Sequence, residues 1–321
     1  MKAIVYHNYG SPDVLKCEEI EKPTAGDDEV LIKVRAASVN ALDWRMMRGK
    51  PLFARLMMGG LRKPKITRPG VDLAGQVEAV GRNVTQFKPG DAVFGVCQGA
   101  FAEYVGVIEN KLALKPANIS FEDAAAVPVA AITALQGLRD KGLIQRGQKV
   151  LVDGASGGVG TFAVQIAKSF GAEVTAVCST RNVDTARSIG ADHCIDYTRE
   201  DFTQSGQRYD LIIAANAYHS IFDYRRALSP KGIYVMAGGG GVQVLQAMLL
   251  GPLLSLMGNK KMCFFIAKIN KKDLVLLKDL LEARSVVAVI DRRYPFSDVA
   301  GALRYLEEGH ARGKVVITFE K

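Results

Sequence analysis

Gly154-Ala155-Ser156-Gly157-Gly158-Val159-Gly160 has the residue types and spacing to cradle a phosphate. It follows an apolar run, Val150-Leu151-Val152, and opens an apolar-periodic stretch, Phe162-Ala163-Val164-Gln165-Ile166-Ala167. Such a strand, glycine turn and helix start is the context a dinucleotide loop needs. Glycine serves where the chain turns without room for a side chain and where helix packs on strand, and the first N–H groups of the helix bind the phosphates. Ala155 stands at the first glycine of G-x-G-x-x-G, so this is a variant form. The next strand, Glu173-Val174-Thr175-Ala176-Val177-Cys178, supplies no carboxylate at its end for a ribose 2′-hydroxyl. Ser179, Thr180 and Arg181 follow it instead. Their donors and the guanidinium charge suit a 2′-phosphate, which predicts NADPH over NADH, although Arg181 also reads as a solvated loop residue.

Other chemistries lack their residues. The five cysteines, Cys17, Cys97, Cys178, Cys194 and Cys263, are odd in number, scattered and never in a C-x-x-C pair. They read as reduced thiols of a cytoplasmic protein. Four histidines, His7, His193, His219 and His310, show no ligand spacing, so no metal site is expected. A net charge of +9 favours anionic ligands without choosing among them, and no aromatic-basic nucleic-acid motif accompanies it. The longest apolar stretch, 242–257, has 16 residues against the ~20 that span a bilayer. Gly251-Pro252 is expected to break its helix after about nine residues. Following the run Gly238-Gly239-Gly240-Gly241, the 242–265 segment reads as a mobile cover over a substrate cleft, with a dimer contact or membrane-surface contact as alternatives.

The elements around these residues have two textures. Up to about residue 116 the chain is short β-type runs between turn signals, as in Val30-Leu31-Ile32-Lys33-Val34 and Gly75-Gln76-Val77-Glu78-Ala79-Val80-Gly81. From about residue 122, strands alternate with helical patterns, which implies right-handed βαβ units and a parallel sheet. Beyond them, 286–290 reads as a strand, about 297–308 as a helix and 314–319 as a last strand returning to the first domain.

The ordered motifs Arg35-Ala36-Ala37-Ser38-Val39-Asn40-Ala41-Leu42-Asp43, Lys88-Pro89-Gly90-Asp91-Ala92-Val93-Phe94-Gly95, Gly99-Ala100-Phe101-Ala102-Glu103-Tyr104, Val127-Pro128-Val129-Ala130-Ala131-Ile132-Thr133-Ala134, the glycine loop and Gly313-Lys314-Val315-Val316 carry a resemblance over nearly the whole chain. It resembles the medium-chain dehydrogenase/reductase superfamily, in its zinc-independent quinone oxidoreductase and enone reductase branch that includes zeta-crystallin. The resemblance implies an α/β protein. Its GroES-like β-rich catalytic domain would span 1–117 and 285–321, its Rossmann NADPH-binding domain 118–284, with the site in the cleft between them and a homodimer as the usual assembly. Hydride would pass from NADPH to a quinone or an α,β-unsaturated carbonyl compound. Asn40 and Asp43 would be catalytic. Asn40, Thr133, Gly154, Ser156, Gly157, Gly158, Val159, Gly160, Ser179, Thr180, Arg181, Tyr197, Gly238, Gly239, Phe265 and Lys314 would hold the cofactor. Where alcohol dehydrogenases place a zinc-binding Cys and a G-H-E segment, this chain has Asn40 and Gly70-Val71-Asp72. A dinucleotide-binding regulatory or membrane-peripheral protein and a zinc-free alcohol dehydrogenase are the alternatives. The chain departs from the simplest quinone reductases between Trp44 and Arg68, where basic residues are mixed with Met46, Met47, Leu52, Phe53, Leu56, Met57 and Met58 in a stretch expected to border the substrate.

Overall fold

The computed structural model describes residues 1–50, 55 and 60–319, so Leu52, Phe53, Leu56, Met57 and Met58 lie outside the described residues. The chain forms two compact units, one of Met1–Val129, Ile269–Arg284 and Ala288–Lys321, the other of Ala130–Lys268 and Ser285–Val287.

In the first unit the long strand Glu29–Val39 is the organising element. It pairs antiparallel with Asp72–Val80, Tyr104–Ile108 and the C-terminal strand Lys314–Thr318. The order through this sheet is Ile290–Pro295, Lys314–Thr318, Glu29–Val39, Asp72–Val80, Ala92–Val96, Leu112–Leu114. Ile32, Val34, Leu73, Phe101, Leu303 and Ile317 are buried together at its centre. Register brings three strand ends to one edge of the sheet, since Val39 faces Val315 and Ser38 faces Asp72. That edge carries Asn40, Asp72 and Lys314.

The second unit holds a six-stranded parallel sheet in the order His193–Asp196, Glu173–Cys178, Lys149–Asp153, Tyr209–Ala214, Leu228–Met236, Lys261–Phe264. This doubly wound order reverses direction beside Lys149–Asp153, and ligands of such sheets bind at that switch point, beyond the carboxyl ends of the strands. The glycine loop leaves the sheet there. Its helix, Gly158–Ser169, buries every residue from Gly160 to Ala167, as its apolar repeat demands.

Two elements, the strand at 286–290 and the helix break at Gly251-Pro252, depart from the sequence reading. The expected strand at 286–290 is found instead at Ile290–Pro295. Val286 is buried, while Val287, its side chain exposed, exchanges two backbone hydrogen bonds with the Gln165 side chain, 2.8 and 3.0 Å, so the pair is held beside a helix and joins no sheet. Helix Lys271–Glu282 belongs to the first unit, where it packs on Leu112–Leu114 with Leu274, Leu277 and Leu281 buried. The parallel-sheet unit is made of Ala130–Lys268 with the short return Ser285–Val287. Lastly, the helix expected to break at Gly251-Pro252 runs unbroken over Gly241–Leu256. Ser255 Oγ donates to Gly251 O at 2.8 Å and accepts from Met262 N at 2.9 Å, and Gly251 has no Cβ to strike Met262 O. These contacts to the neighbouring strand offset the bond a helical proline removes. Val242, Leu245, Leu249, Leu253 and Leu256 of this helix are exposed.

Candidate active site

In the parallel-sheet unit, strand Lys149–Asp153 delivers the chain into the glycine loop. Gly154 takes φ +76°, a conformation side chains resist, and a Cβ there would stand 2.9 Å from Asn216 Cβ and 3.0 Å from its N. Ala155 N donates to Val177 O at 3.0 Å, laying the loop across the neighbouring strand. A Cβ on Gly160 would meet Gly154 O at 2.1 Å, so helix and loop touch only because that side chain is missing. Gly157 caps the helix, and a Cβ there meets nothing closer than Gly154 O at 3.5 Å. Space therefore lies at Gly157, beside the first helical residues Gly158 and Val159 whose N–H groups start the helix, with Ser156 on the same turn. That is the donor set and opening a pyrophosphate requires. Gly238 and Gly239 lie against the same 215–217 segment, with Ala217 N donating to Gly238 O at 3.0 Å. Thr133 is buried on helix Pro128–Gln136, and the Phe265 ring packs near Gly137.

At the end of the second strand, Ser179 Oγ accepts from Asn182 Nδ2 at 3.0 Å. Arg181 is exposed, and Tyr197 is half exposed beside Tyr218. Sequence reasoning found no carboxylate at this end of the strand, but register adds one. Asp196 pairs with Cys178, and its carboxylate accepts from Thr180 Oγ1 at 2.5 Å and from Thr198 N and Oγ1 at 3.0 and 2.7 Å. The Thr180 bond, ahead of the others, holds Asp196 below the usual carboxylate range. Arg199, at 3.4 Å, offsets its charge further.

Beneath the loop, Asp153 is buried and accepts from Tyr224 Oη at 2.5 Å, and the Tyr224 ring stacks on Tyr234 with centroids 4.5 Å apart. Burial pushes the Asp153 carboxyl from its ordinary 3.8 up to about 7, against the Tyr224 hydrogen bond that pulls it down. A raised folded-state value favours the protonated form, so its stability contribution is full below the unfolded value and is lost as pH rises through about 7. Asp153→Asn cannot ionise. It should gain stability relative to the parent between pH 4 and 7, by at least about 1.4 kcal/mol, the worth of one pKa unit. Denaturant melts at both pH values test this, and a constant difference would contradict it.

The first unit holds a second polar cluster. Asn40 precedes helix Ala41–Arg48, and its backbone N–H donates to Asp43 Oδ2 at 2.7 Å. Asp43 Oδ1 accepts from Gly70 N at 3.1 Å. Burial first, and Asp72 after it, push Asp43 up to about 7. The Asn40 side chain is engaged at both ends, Oδ1 by Lys314 Nζ at 2.7 Å and Nδ2 by Asp72 Oδ2 at 2.8 Å. Lys314, which the resemblance sets beside the cofactor, is buried, and burial lowers its pKa. Asp72 also takes Ser38 Oγ at 3.0 Å, Val129 N at 3.0 Å and Lys314 Nζ at 3.4 Å. Sequence reasoning noted Asp72 only as a missing zinc ligand. A small depression in this unit, lined by Tyr6, Asp43, Met46, Ile66, Arg68 and Gln98 among others, brings part of the divergent 44–68 stretch beside Asp43.

This donor set does not suit a zinc ion. An ammonium already bridges Asn40 and Asp72, an amide replaces the thiolate, and burial pushes the Cys97 thiol up, away from the thiolate that binds metal. Among the described residues no group of three or more His, Cys, Asp or Glu is placed to hold a metal.

A GroES-like β unit joined to a doubly wound parallel sheet with a glycine loop defines a medium-chain dehydrogenase/reductase. Comparison agrees with that class. Residues 26–117 match the family Alcohol dehydrogenase GroES-like domain, and residues 189–317 match Zinc-binding dehydrogenase. The 2-methylene-furan-3-one reductase of Solanum lycopersicum is 38% identical over 99% of this chain and 79% of its own length. The chloroplastic NADPH-dependent alkenal/one oxidoreductase of Arabidopsis thaliana is 37% identical, with the same coverage. The solved quinone oxidoreductase of Coxiella burnetii superposes with TM-score 0.86 at 28% identity, over 100% of this chain and 99% of that one. The chain belongs to the medium-chain dehydrogenase/reductase superfamily, in its quinone oxidoreductase and enone reductase branch.

Proposed function

We propose that the chain is an NADPH-dependent, zinc-independent reductase of quinones or α,β-unsaturated carbonyl compounds. The observation that carries this reading is the buried Lys314, Asn40 and Asp72 cluster, in which an ammonium bridges the amide and the carboxylate that the resemblance sets at zinc-ligand positions of alcohol dehydrogenases. Without a Lewis acid to activate an alcohol, the accessible chemistry is reduction of an already electrophilic carbon. Bound NADPH supplies the hydride. The glycine loop holds the diphosphate, and Ser179 and Arg181 read the ribose phosphate, the Thr180 hydroxyl being engaged by Asp196. Asn40 donates to the substrate oxygen as negative charge gathers there. Asp43 fixes the Asn40 backbone and the Gly70 loop by accepting both N–H groups.

The relatives' names carry the same chemistry, an alkenal/one oxidoreductase that is NADPH-dependent and a furanone reductase. We further place the protein in a reducing compartment, the cytoplasm, as a homodimer. Five free cysteines support the compartment. Among the described residues no helix is long and apolar enough to cross a membrane.

Two measurements test the cofactor and metal assignments. Arg181→Ala should weaken NADPH binding by roughly tenfold and leave NADH nearly unchanged, since an exposed charge-assisted hydrogen bond is worth only about 1.4 kcal/mol. Equal losses for both cofactors would remove Arg181 from phosphate recognition. Elemental analysis should find no stoichiometric zinc, and chelator should leave turnover unchanged. Stoichiometric zinc whose removal abolishes turnover would refute the metal-free assignment.

A further inference from the structure

A carboxamide is nearly symmetric in shape, so its orientation is set by its neighbours. At Asn40 they leave one choice. The Lys314 ammonium has only donors to offer, and it lies 2.7 Å from Oδ1. The Asp72 carboxyl oxygen Oδ2 accepts from Nδ2 at 2.8 Å. Reversing the amide would set NH2 against NH3⁺ and a carbonyl oxygen against a carboxylate.

Asp72 is itself held from several sides. Four donors converge on it: Ser38 Oγ and Asn40 Nδ2 from one end of Glu29–Val39, Lys314 Nζ from the last strand, and Val129 N from the first turn of Pro128–Gln136. It has no solvent exposure, and the Lys314 side chain has almost none, so water cannot replace these partners. One Nδ2 hydrogen of Asn40 goes to Asp72, which leaves the amide a second with which to meet a substrate oxygen.

We propose that Asp72, with Lys314, is a positioning residue that locks the Asn40 carboxamide with its second N–H presented to the substrate oxygen. The proposal rests on the donor role given to Asn40 above. Asp72 touches neither substrate nor cofactor in this account and acts only through Asn40.

The test is a double-mutant cycle with enone reduction as readout. An asparagine has one carbonyl oxygen and must turn its NH2 toward at least one of the converging donors, so Asp72→Asn should loosen the lock while keeping side-chain volume. We expect kcat to fall by about 30- to 100-fold, a cost in line with misplacing a catalytic group by about 1 Å. The KM for substrate and the NADPH affinity, measured by fluorescence, should stay within about threefold. Asp72→Asn combined with Asn40→Ala should be no slower than Asn40→Ala alone, because a group that acts through Asn40 has nothing left to position. If Asp72→Asn leaves too little folded protein, the charge-neutral pair Asp72→Asn with Lys314→Met replaces it and should show the same loss of kcat. Parent-like kcat in the variant that folds, or losses that multiply in combination with Asn40→Ala, would overturn the positioning role and leave Asn40 in place. Parent-like kcat in Asn40→Ala alone would instead remove the donor role of Asn40, and this proposal with it.

Discussion

Asn40→Ala lowers the turnover of enone or quinone reduction by about 100-fold, the usual cost of deleting one donor to a developing oxyanion. The substitution keeps the backbone N–H that Asp43 accepts at 2.7 Å, so the start of helix Ala41–Arg48 survives. It also leaves Lys314 and Asp72 3.4 Å apart, and two opposite charges in a buried site can close that distance once the amide is gone. The loss should therefore fall on kcat and not on the fold. Stopped-flow single turnovers, with NADPH affinity measured separately, check this. The expected result is slowed hydride transfer with affinity within a few fold, and undiminished transfer would take Asn40 out of the mechanism.

The second large effect lies in the glycine loop, where two glycines separate backbone packing from ligand contact. Gly160→Ala places a methyl 2.1 Å from Gly154 O and 2.8 Å from Ala155 Cα, both backbone atoms that cannot swing aside. Relieving such a clash costs about 1 to 3 kcal/mol. Because the parts that must move are the loop itself, the cost appears in thermal stability and as NADPH binding weakened about 5- to 150-fold. Gly157→Ala differs. Its φ of −81° suits alanine and its Cβ enters open space, so the apo protein should melt as the parent does. Its methyl nevertheless points where the diphosphate has to approach, and affinity should fall alone. Calorimetric melting and fluorescence titration of both variants test the pair. Equal melting temperatures, or an unaffected affinity in Gly157→Ala, would contradict this assignment of the loop.

What was legible in the sequence was local. The glycine loop announces itself because turn, helix start and flanking strands are contiguous, and the alternating texture after residue 122 becomes a parallel sheet. The site in the first unit was only half legible. Asn40, Asp72 and Lys314 meet across sequence separations of 32 to 274 residues, and only strand pairing brings their ends together. Within its segment Asp72 reads as a departure from a metal motif, and Lys314 as a cofactor-side lysine. Their mutual need for a counter-charge is a property of the folded sheet alone. Parallel register likewise carries Asp196 to Thr180, which no inspection of the Glu173–Cys178 strand could reveal. The unbroken helix over Gly251-Pro252 shows tertiary contacts from Ser255 and Met262 outweighing a local breaker. A signal for the Asn40 cluster did exist, in the ordered spacing of Ser38 and Asn40 and the coincidence of one buried-strand acid with one strand-initial lysine.

The central claim is that the chain delivers hydride from NADPH to an electron-poor carbon without a metal. Its most direct test is absorbance-monitored NADPH oxidation by metal-depleted, chelator-treated protein against a panel of short-chain enones, quinones and saturated aldehydes. The account predicts turnover with at least one enone or quinone, none with the saturated aldehydes, and no gain on adding zinc. NADPH binding without turnover of any enone or quinone, or turnover that appears only when zinc is restored, would contradict it.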